Sequence, residues 1–288
     1  MIMINKLLII FLWSVLLFIS IALLLIAALG QIDIGTSYYN YPVREWEAFD
    51  PVLVERTPSL ESLYDVALEQ IDSSADMLSP KDVMRILYDT VKKRFTHGDK
   101  AKHTLFSNWL LYLLGKIHPA FAHLLDPDLM LRYGHSVLCD QSSYVLLHLA
   151  LKADIPARHV GLGNHVVMEA WYENDWHMYD PDMEVIPVDK YGNIMGVNAL
   201  ARDETLNREV YNKEGGDKEY IEEIAATLPD RKNHTFVSYP PGAWFVWKAE
   251  VLYKFHIMAE YLKFIIPLMF LVISTVWLRY NQKNKGGG

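Results

Sequence analysis

The stretch GHSVLCDQSSYVLLHLALKADIPARHVGLGNHVVMEAWYENDWHMYDPD, residues 134–182, determines the fold of this chain. Its first part, CDQSSYVLLHLALKADI, has apolar residues at helical spacing and predicts a helix that begins at Cys139. Three β-rich runs follow, PARHVGL, HVVMEAWYE and WHMYD, and we place the turn between the last two at Asn174 and Asp175. One helix followed by three strands predicts an α+β fold, in which the helix packs against an antiparallel sheet.

Cys139 is the only cysteine among 288 residues, and its position at a helix start suggests a working thiol. The nucleophile is the thiolate, which the aligned peptide dipoles of a helix N-terminus stabilise by about 0.3–1 kcal/mol at a surface. A nearby imidazolium would add to this effect, so we expect a lowered pKa for Cys139. The alternatives are a buried, inert cysteine, which is the usual state of a lone cysteine, and a cysteine that pairs with another chain.

His165 and Asp180 are the residues that could activate this thiol, because His165 opens the second strand and Asp180 closes the third. An aspartate in this role holds the imidazole in one tautomer. A turn at residues 174–175 would pair Asp180 with Glu169 and leave His165 about 13 Å away, so a bulge or strong twist would be needed. Glu169 itself is either a partner of His165 or a buried ion-pair member with Arg158.

This order and spacing resemble the transglutaminase-like superfamily of papain-like cysteine enzymes, over roughly residues 80–185 and most clearly over 134–182. The matching pieces are Gly134 with Cys139 at the helix start, the DIPARHV step, the His strand HVVMEAWYENDW and the DP after it. The resemblance implies a transglutaminase-like (papain-like) domain, with Cys139 as nucleophile, His165 as general base and acid, and Asp180 as the orienting carboxylate. The passage is similar to bacterial membrane-associated members, some of which accompany envelope polysaccharide genes.

Two departures from the family pattern concern the backbone and the oxyanion. Asp154 stands where the family has Gly, and no residue upstream of Cys139 clearly matches the family's oxyanion donor, although Asn108, Trp109 and Tyr133 are candidates. The Cys139 backbone N–H would be the other donor.

No cofactor and no metal are expected, because the sequence has no calcium-loop signature. The alternative of a metal site at His135, Cys139 and His148 is disfavoured, since these residues do not share one helical face.

Two apolar runs flank the middle of the chain. Residues 7–29 form 23 uncharged positions, about 34 Å of helix, which is enough to cross a bilayer and too long for the h-region of a cleaved signal. Residues 264–278 form a second span if it extends over 261–280 with Lys263 snorkelling to the surface. The alternatives are a cleaved signal for the first run and a soluble helix packed on the domain for the second.

Charge predicts the orientation of these spans. Lys6 precedes the first run, and Arg279, Lys283 and Lys285 follow the second, which places both termini in the cytoplasm and residues 31–260 on the extracytoplasmic side. A cytoplasmic domain is the alternative. Residues 31–260 carry 22 Lys and Arg against 35 acidic residues, a formal net charge of −13, which argues against nucleic acid as a partner.

The domain organisation follows from these runs and from helix-start signals. Thr57 with Pro58 and Ser79 with Pro80 predict two helix N-termini, and HTLFSNWLLYLLGKI predicts a third helix over 103–117. Residues 187–235 are predicted to be loops with one short helix near 220–226. The predicted segments are an N-terminal transmembrane anchor (1–30), a connector with the first helix (31–78), a transglutaminase-like domain (79–242), a juxtamembrane helix (243–260), a C-terminal transmembrane helix (261–280) and a cytoplasmic tail (281–288).

The predicted function is a membrane-anchored, extracytoplasmic enzyme that acts on amide or ester bonds as a peptidase, amidase or acyltransferase. Its expected partners are the lipid bilayer, a protein or peptide substrate, and envelope or polysaccharide-synthesis proteins. The alternative is a catalytically inactive transglutaminase-like scaffold in an envelope or polysaccharide-export complex.

Overall fold

The structure is a computed structural model that describes residues 2–32, 40–74, 78–98, 101–212, 218–239 and 246–283. The chain divides into two compact units. The helical unit comprises Met1–Thr36, Lys102–His123 and Leu252–Gly288, and the sheet unit comprises Ser37–Ala101 and Leu124–Val251. The cysteine and its predicted partners all belong to the sheet unit.

The helices and strands alternate along the chain in a mixed pattern. In chain order they are α1 (Ile2–Gln31), α2 (Pro51–Arg56), α3 (Leu60–Asp72), α4 (Pro80–Arg94), β1 (Thr96–His97), α5 (Trp109–Gly115), α6 (Pro119–Ala122), α7 (Pro127–Arg132), β2 (Ser136–Val137), α8 (Cys139–Lys152), β3 (Ala157–Leu162), β4 (Val166–Tyr172), β5 (Asp175–Tyr179), α9 (Val197–Leu200), α10 (Glu204–Tyr211), α11 (Lys218–Thr227), a 3₁₀ turn (Arg231–Asn233), β6 (His234–Tyr239) and α12 (Val246–Lys283).

The centre of the sheet unit is an antiparallel sheet of four strands in the order β5-β4-β3-β6. Helix α8 packs on β3 and β4 through the apolar stripe that the sequence predicts, and its four members are fully buried: Val145, Leu146, Leu149 and Ala150. The mixed helix-and-sheet architecture is therefore confirmed. Strand β6 and helices α9 and α10 lie in or next to the region predicted to be mostly loops, whereas α11 matches the short helix predicted there.

The hairpin between β4 and β5 turns one residue earlier than predicted. Tyr172 pairs with Asp175, so the two loop residues are Glu173 and Asn174, with φ of 52° and 60°. Two consecutive left-handed residues are typical of a type I′ turn, whose twist matches that of the strands. The predicted turn at residues 174–175 is wrong, and the register of the whole hairpin changes with it.

Helix starts follow the sequence signals at α4 and differ at α3. Ser79 caps α4, Pro80 is its first residue, and Asp82 completes a reciprocal capping box, as predicted. Helix α3 begins after Ser59 rather than Thr57, because Ser59 and Ser62 form a capping box of their own. Thr57 instead ends α2, where its hydroxyl donates to the carbonyl of Leu53.

The helical unit contains two helical stretches long and apolar enough to cross a membrane, Leu8–Gln31 and Lys254–Asn281. The predicted juxtamembrane helix and second span belong to one continuous helix, α12. The third predicted helix is shorter than expected, and Asn108 caps it as α5. Lys263 does not snorkel: its ammonium is buried, 2.6 Å from the Glu260 carboxylate.

The chain leaves the sheet unit after Ala101 and returns at Leu124, and these two ends are joined. The backbone N–H of Leu124 donates to the Ala101 carbonyl at 3.0 Å. The side-chain amide of Gln141, in the first turn of α8, donates to the carbonyls of Ala101 and Leu124 at 3.0 and 2.8 Å. Its oxygen accepts from the N–H of Ala101 at 2.8 Å. One buried side chain thus holds both ends of the inserted segment.

Candidate active site

Cys139 is the first residue of α8, the position that the sequence predicts. Strand β2 leads into it and pairs in parallel with β1, which brings His97 close to the helix start. The cysteine is 3% exposed, so its sulfur lies below the surface.

His165 stands at the start of β4 because a two-residue connection turns the chain directly out of β3. Gly163 adopts a φ of 86°, and the backbone N–H of Leu162 donates to the His165 carbonyl at 2.7 Å. Continuing the β4–β5 register by one step places Asp180 opposite Val167, two residues from His165 and on the same face. The pair meets without a bulge, since the turn lies one residue earlier than predicted.

The imidazole of His165 lies between the Asp180 carboxylate and the Cys139 sulfur. Its Nε2 is 2.6 Å from Asp180 Oδ2, and both side chains are fully buried. Because Asp180 occupies Nε2, Nδ1 is the nitrogen available to the sulfur and to the Tyr220 hydroxyl, which is 2.9 Å away. The structure therefore brings together the three residues that the sequence singles out.

The Asp180 carboxylate is held from several sides. Tyr211 donates its hydroxyl to Oδ2 at 2.9 Å, and the backbone N–H of Met183 donates to Oδ1 at 3.0 Å. A carboxylate with this many donors keeps a fixed orientation, so the imidazole it binds is fixed as well.

The pKa values of His165 and Cys139 are both shifted. Burial alone would lower the pKa of His165, but the charges of Asp180 and Cys139 and hydrogen bonds to both raise it well above its ordinary value. Burial raises the pKa of Cys139, and His165 opposes that rise through its charge and a hydrogen bond. The expected lowering of the thiol pKa is therefore wrong for this structure: the helix start and imidazole are present, but loss of hydration is the larger effect.

Four residues that sequence reasoning missed complete the site around Cys139, His165 and Asp180: His97, Asp182, Tyr211 and Tyr220. A carboxylate oxygen of Asp182 lies within 4.8 Å of both the Cys139 sulfur and a His165 ring nitrogen. Its Oδ2 is 2.9 Å from His97 Nδ1. Asp182 has a sequence signal, because it is the second aspartate of the DPD motif at residues 180–182. The other three residues come from distant segments without a local pattern.

Glu169 belongs to a separate cluster. Its carboxylate accepts from Arg158 Nε at 2.6 Å and from the backbone N–H of Val197 at 2.7 Å. The Arg158 guanidinium also lies over the rings of Trp176 and Phe236, at 4.0 and 4.4 Å from their centroids. Of the two predicted roles for Glu169, the buried ion pair is confirmed.

The predicted oxyanion candidates have other contacts. Asn108 caps α5 and donates to Glu260 at 2.8 Å, and Trp109 donates its indole N–H to the Lys263 carbonyl at 2.8 Å, all within the helical unit. Tyr133 packs in the core of the sheet unit. The backbone N–H of Cys139 stays the predicted donor.

One group of side chains in the described part of the chain has a spacing that could hold a metal ion: Cys139, His165 and Asp182. His165 would ligate through Nδ1, with Asp180 behind it as an orienting carboxylate. The weighed alternative of His135, Cys139 and His148 is not such a group among the described residues.

The departure at Asp154 has a conformational basis. Asp154 ends the turn after α8 with a φ of 57°, in the left-handed region that favours glycine. Aspartate tolerates this region better than most residues, so the chain can adopt this left-handed conformation at position 154 without a glycine.

No protein-family model and no curated protein matches the chain. A crystal structure from Cytophaga hutchinsonii, named as that of a "Putative Cysteine Protease", is similar to it at 13% sequence identity and a TM-score of 0.28. The similarity covers 53% of this chain, which spans about half, 51%, of that protein.

Proposed function

We propose that this chain is a membrane-anchored, transglutaminase-like cysteine enzyme that acts on amide or ester bonds through Cys139, His165 and Asp180. The observation that carries the proposal is the position of His165, with one ring nitrogen on a fully buried carboxylate and the other facing the sulfur. A structural cysteine has no need of an oriented imidazole beside it.

The proposed reaction starts from the neutral imidazole, the form above the raised pKa of His165: the Cys139 sulfur attacks the substrate's carbonyl carbon while the thiol proton passes to His165 Nδ1. Asp180 holds the Nε2–H of the ring, so the proton is received at the nitrogen that faces the substrate. The same nitrogen then protonates the leaving amine or alcohol as the carbon–heteroatom bond breaks. Water or an amine resolves the resulting thioester, giving hydrolysis or acyl transfer.

We further propose that α1 and α12 span a membrane, with both termini in the cytoplasm and residues 31–260 on the extracytoplasmic side. Large apolar side chains of the first helix are not covered by other residues, for example Phe11 at 63% exposure and Phe18 at 74%. Such a surface suits contact with lipid better than contact with water. Protease digestion of spheroplasts tests the side: loss of the sheet unit without lysis supports the orientation, and full protection contradicts it.

A catalytically inactive scaffold, working with envelope or polysaccharide-export proteins, is the second candidate. The burial of Cys139 and the raised pKa of its thiol favour it, because a protonated, inaccessible sulfur is a poor nucleophile.

Acylation by p-nitrophenyl acetate distinguishes the two candidates. The detergent-solubilised enzyme should release a burst of p-nitrophenol and carry a hydroxylamine-sensitive acetyl group on Cys139, identified by mass spectrometry. Cys139→Ala should lose both signals and keep its melting temperature, whereas the matched control Ser142→Ala, one helical turn away, should keep the burst. The enzyme proposal fails if wild type gives no adduct or if Cys139→Ala gives the same burst.

A further inference from the structure

We propose that Asp182 forms an ammonium-binding subsite beside Cys139, so that the substrate carries a protonated primary amine near the reacting carbonyl. This inference rests on the proposed function, because it names the chemical class that the same site would accept. Its evidence is the unpaired carboxylate oxygen of Asp182, the absence of a lysine or arginine paired with it among the described residues, and the aromatic rings near it.

A short loop fixes the position of Asp182. The backbones of Asp180 and Val185 exchange two hydrogen bonds of 2.9 Å, which close the loop of residues 181–184 between them. Asp182 is 5% exposed, and His97 Nδ1 contacts its Oδ2 at 2.9 Å. Its Oδ1 is buried and has no hydrogen-bond partner among the residues that the structure describes. A buried carboxylate oxygen without a donor is costly, and a ligand that supplies a donor removes this cost.

The charge around this oxygen favours a cation, because the nearby His165 is already paired with Asp180 and does not neutralise Asp182. Within the described ranges the side-chain contact of Asp182 is with the imidazole of His97, and neither a lysine nor an arginine pairs with it. Two more carboxylates, those of Asp180 and Asp140, act on the same cysteine–histidine pair. An anionic group would be repelled here, whereas an ammonium offers three N–H donors and a full positive charge.

The aromatic neighbours also suit an ammonium group. The rings of His97 and Tyr220 lie 5.5 Å apart; His97 contacts Asp182 and the Tyr220 hydroxyl contacts His165, so both rings lie next to residues that surround the Cys139 sulfur. A cation over a tyrosine ring gains further attraction. A bound cation would also offset the effect of Asp182 on the thiol, since that carboxylate raises the pKa of Cys139.

The test uses Cys139 as the only thiol of the full-length protein in detergent. Its rate of modification is measured with cationic 2-aminoethyl, neutral methyl and anionic 2-sulfonatoethyl methanethiosulfonate. The same carboxylate attracts one charged reagent and repels the other, so a unit charge at about 5 Å changes the ratio of their rates by about tenfold even at the dielectric constant of water. Asp182→Asn should lower the cationic-to-anionic ratio by about this factor.

Asp140→Asn is the matched control, because it removes a carboxylate one residue from Cys139 and should change the ratio less than about threefold. The neutral reagent checks that access to the sulfur is unchanged in both variants. An unchanged ratio in Asp182→Asn, or an equal change in both variants, would overturn the subsite. These modification rates need no catalytic turnover. A protein that fails the acylation test can therefore still show the subsite, and a protein that passes the acylation test can still lack it.

Discussion

Asp180→Asn is the substitution that most directly probes the proposed site. It keeps the shape of the side chain and removes the charge that holds His165, across a 2.6 Å contact between two fully buried side chains. With charge centres about 4 Å apart and an effective dielectric constant of about 20, the lost attraction is at most about 4 kcal/mol, or about 10³-fold in rate. The same charge also repels a thiolate on Cys139, and the variant relieves that repulsion. We therefore expect the rate of Cys139 alkylation to fall by about 10- to 100-fold.

The assay is alkylation of Cys139 by iodoacetamide at pH 8, which reports the thiolate directly and needs no substrate. Melting temperatures of both proteins show whether the variant stays folded. The pH dependence of that stability has a defined sign: since the folded pKa of His165 lies well above 6.5, its pairing with Asp180 stabilises most below that pH. The difference in stability between wild type and variant should shrink as the pH rises through the folded pKa.

Tyr211→Phe is the control for this experiment, because it removes the other donor to Asp180 Oδ2 and leaves the charge. Its alkylation rate should stay within about threefold of wild type, because a carboxylate that accepts one hydrogen bond fewer binds the imidazole no more weakly. The reasoning is refuted if Asp180→Asn alkylates as fast as wild type, or if Tyr211→Phe is equally slow.

Three further predictions concern the thiol, the ion pair and the turn. His165→Gln removes the group that opposes the rise in the pKa of Cys139, so the alkylation–pH profile should move to higher pH; a shift to lower pH would contradict this. Glu169→Ala leaves Arg158 buried without its partner and should cost about 3–5 kcal/mol, seen as a lower melting temperature, whereas a loss below about 1 kcal/mol would show that the pair is dispensable. Asp154→Gly relieves a φ of 57° and should raise the melting temperature slightly, by about 1 kcal/mol of stability; a decrease would mean that the aspartate side chain contributes more than its backbone costs.

The elements that could be predicted from the sequence are those specified by local signals. Ser79 and Pro80 mark the start of α4, and the helix after Cys139 and the three following strands lie where periodicity puts them. The hairpin turns one residue before the predicted position. Asn174 suits either position of a two-residue loop, and the observed loop pairs it with a glutamate, a residue that rarely adopts a positive φ. That single step decided whether Asp180 could reach His165.

The missed parts of the site depend on contacts between distant segments. His97, Tyr211 and Tyr220 reach the site from a two-residue strand and from two helices, with both tyrosines more than 70 residues after Cys139, and no local spacing predicts such a meeting. The thiol pKa was expected in the wrong direction for a similar reason. A sequence shows the helix start and the nearby histidine, whereas the depth at which the sulfur is buried is a property of the packed fold.

The hydrogen bonds that join Ala101, Leu124 and Gln141 have an architectural consequence. The chain leaves and re-enters the sheet unit at adjacent points, which is the geometry of an insertion that a host domain accommodates without rearrangement. The excursion over residues 102–123 could therefore be excised and replaced by a two-glycine bridge. Such a trimmed chain would lack α5 and α6 and would show whether the site around Cys139 folds and reacts without the inserted segment.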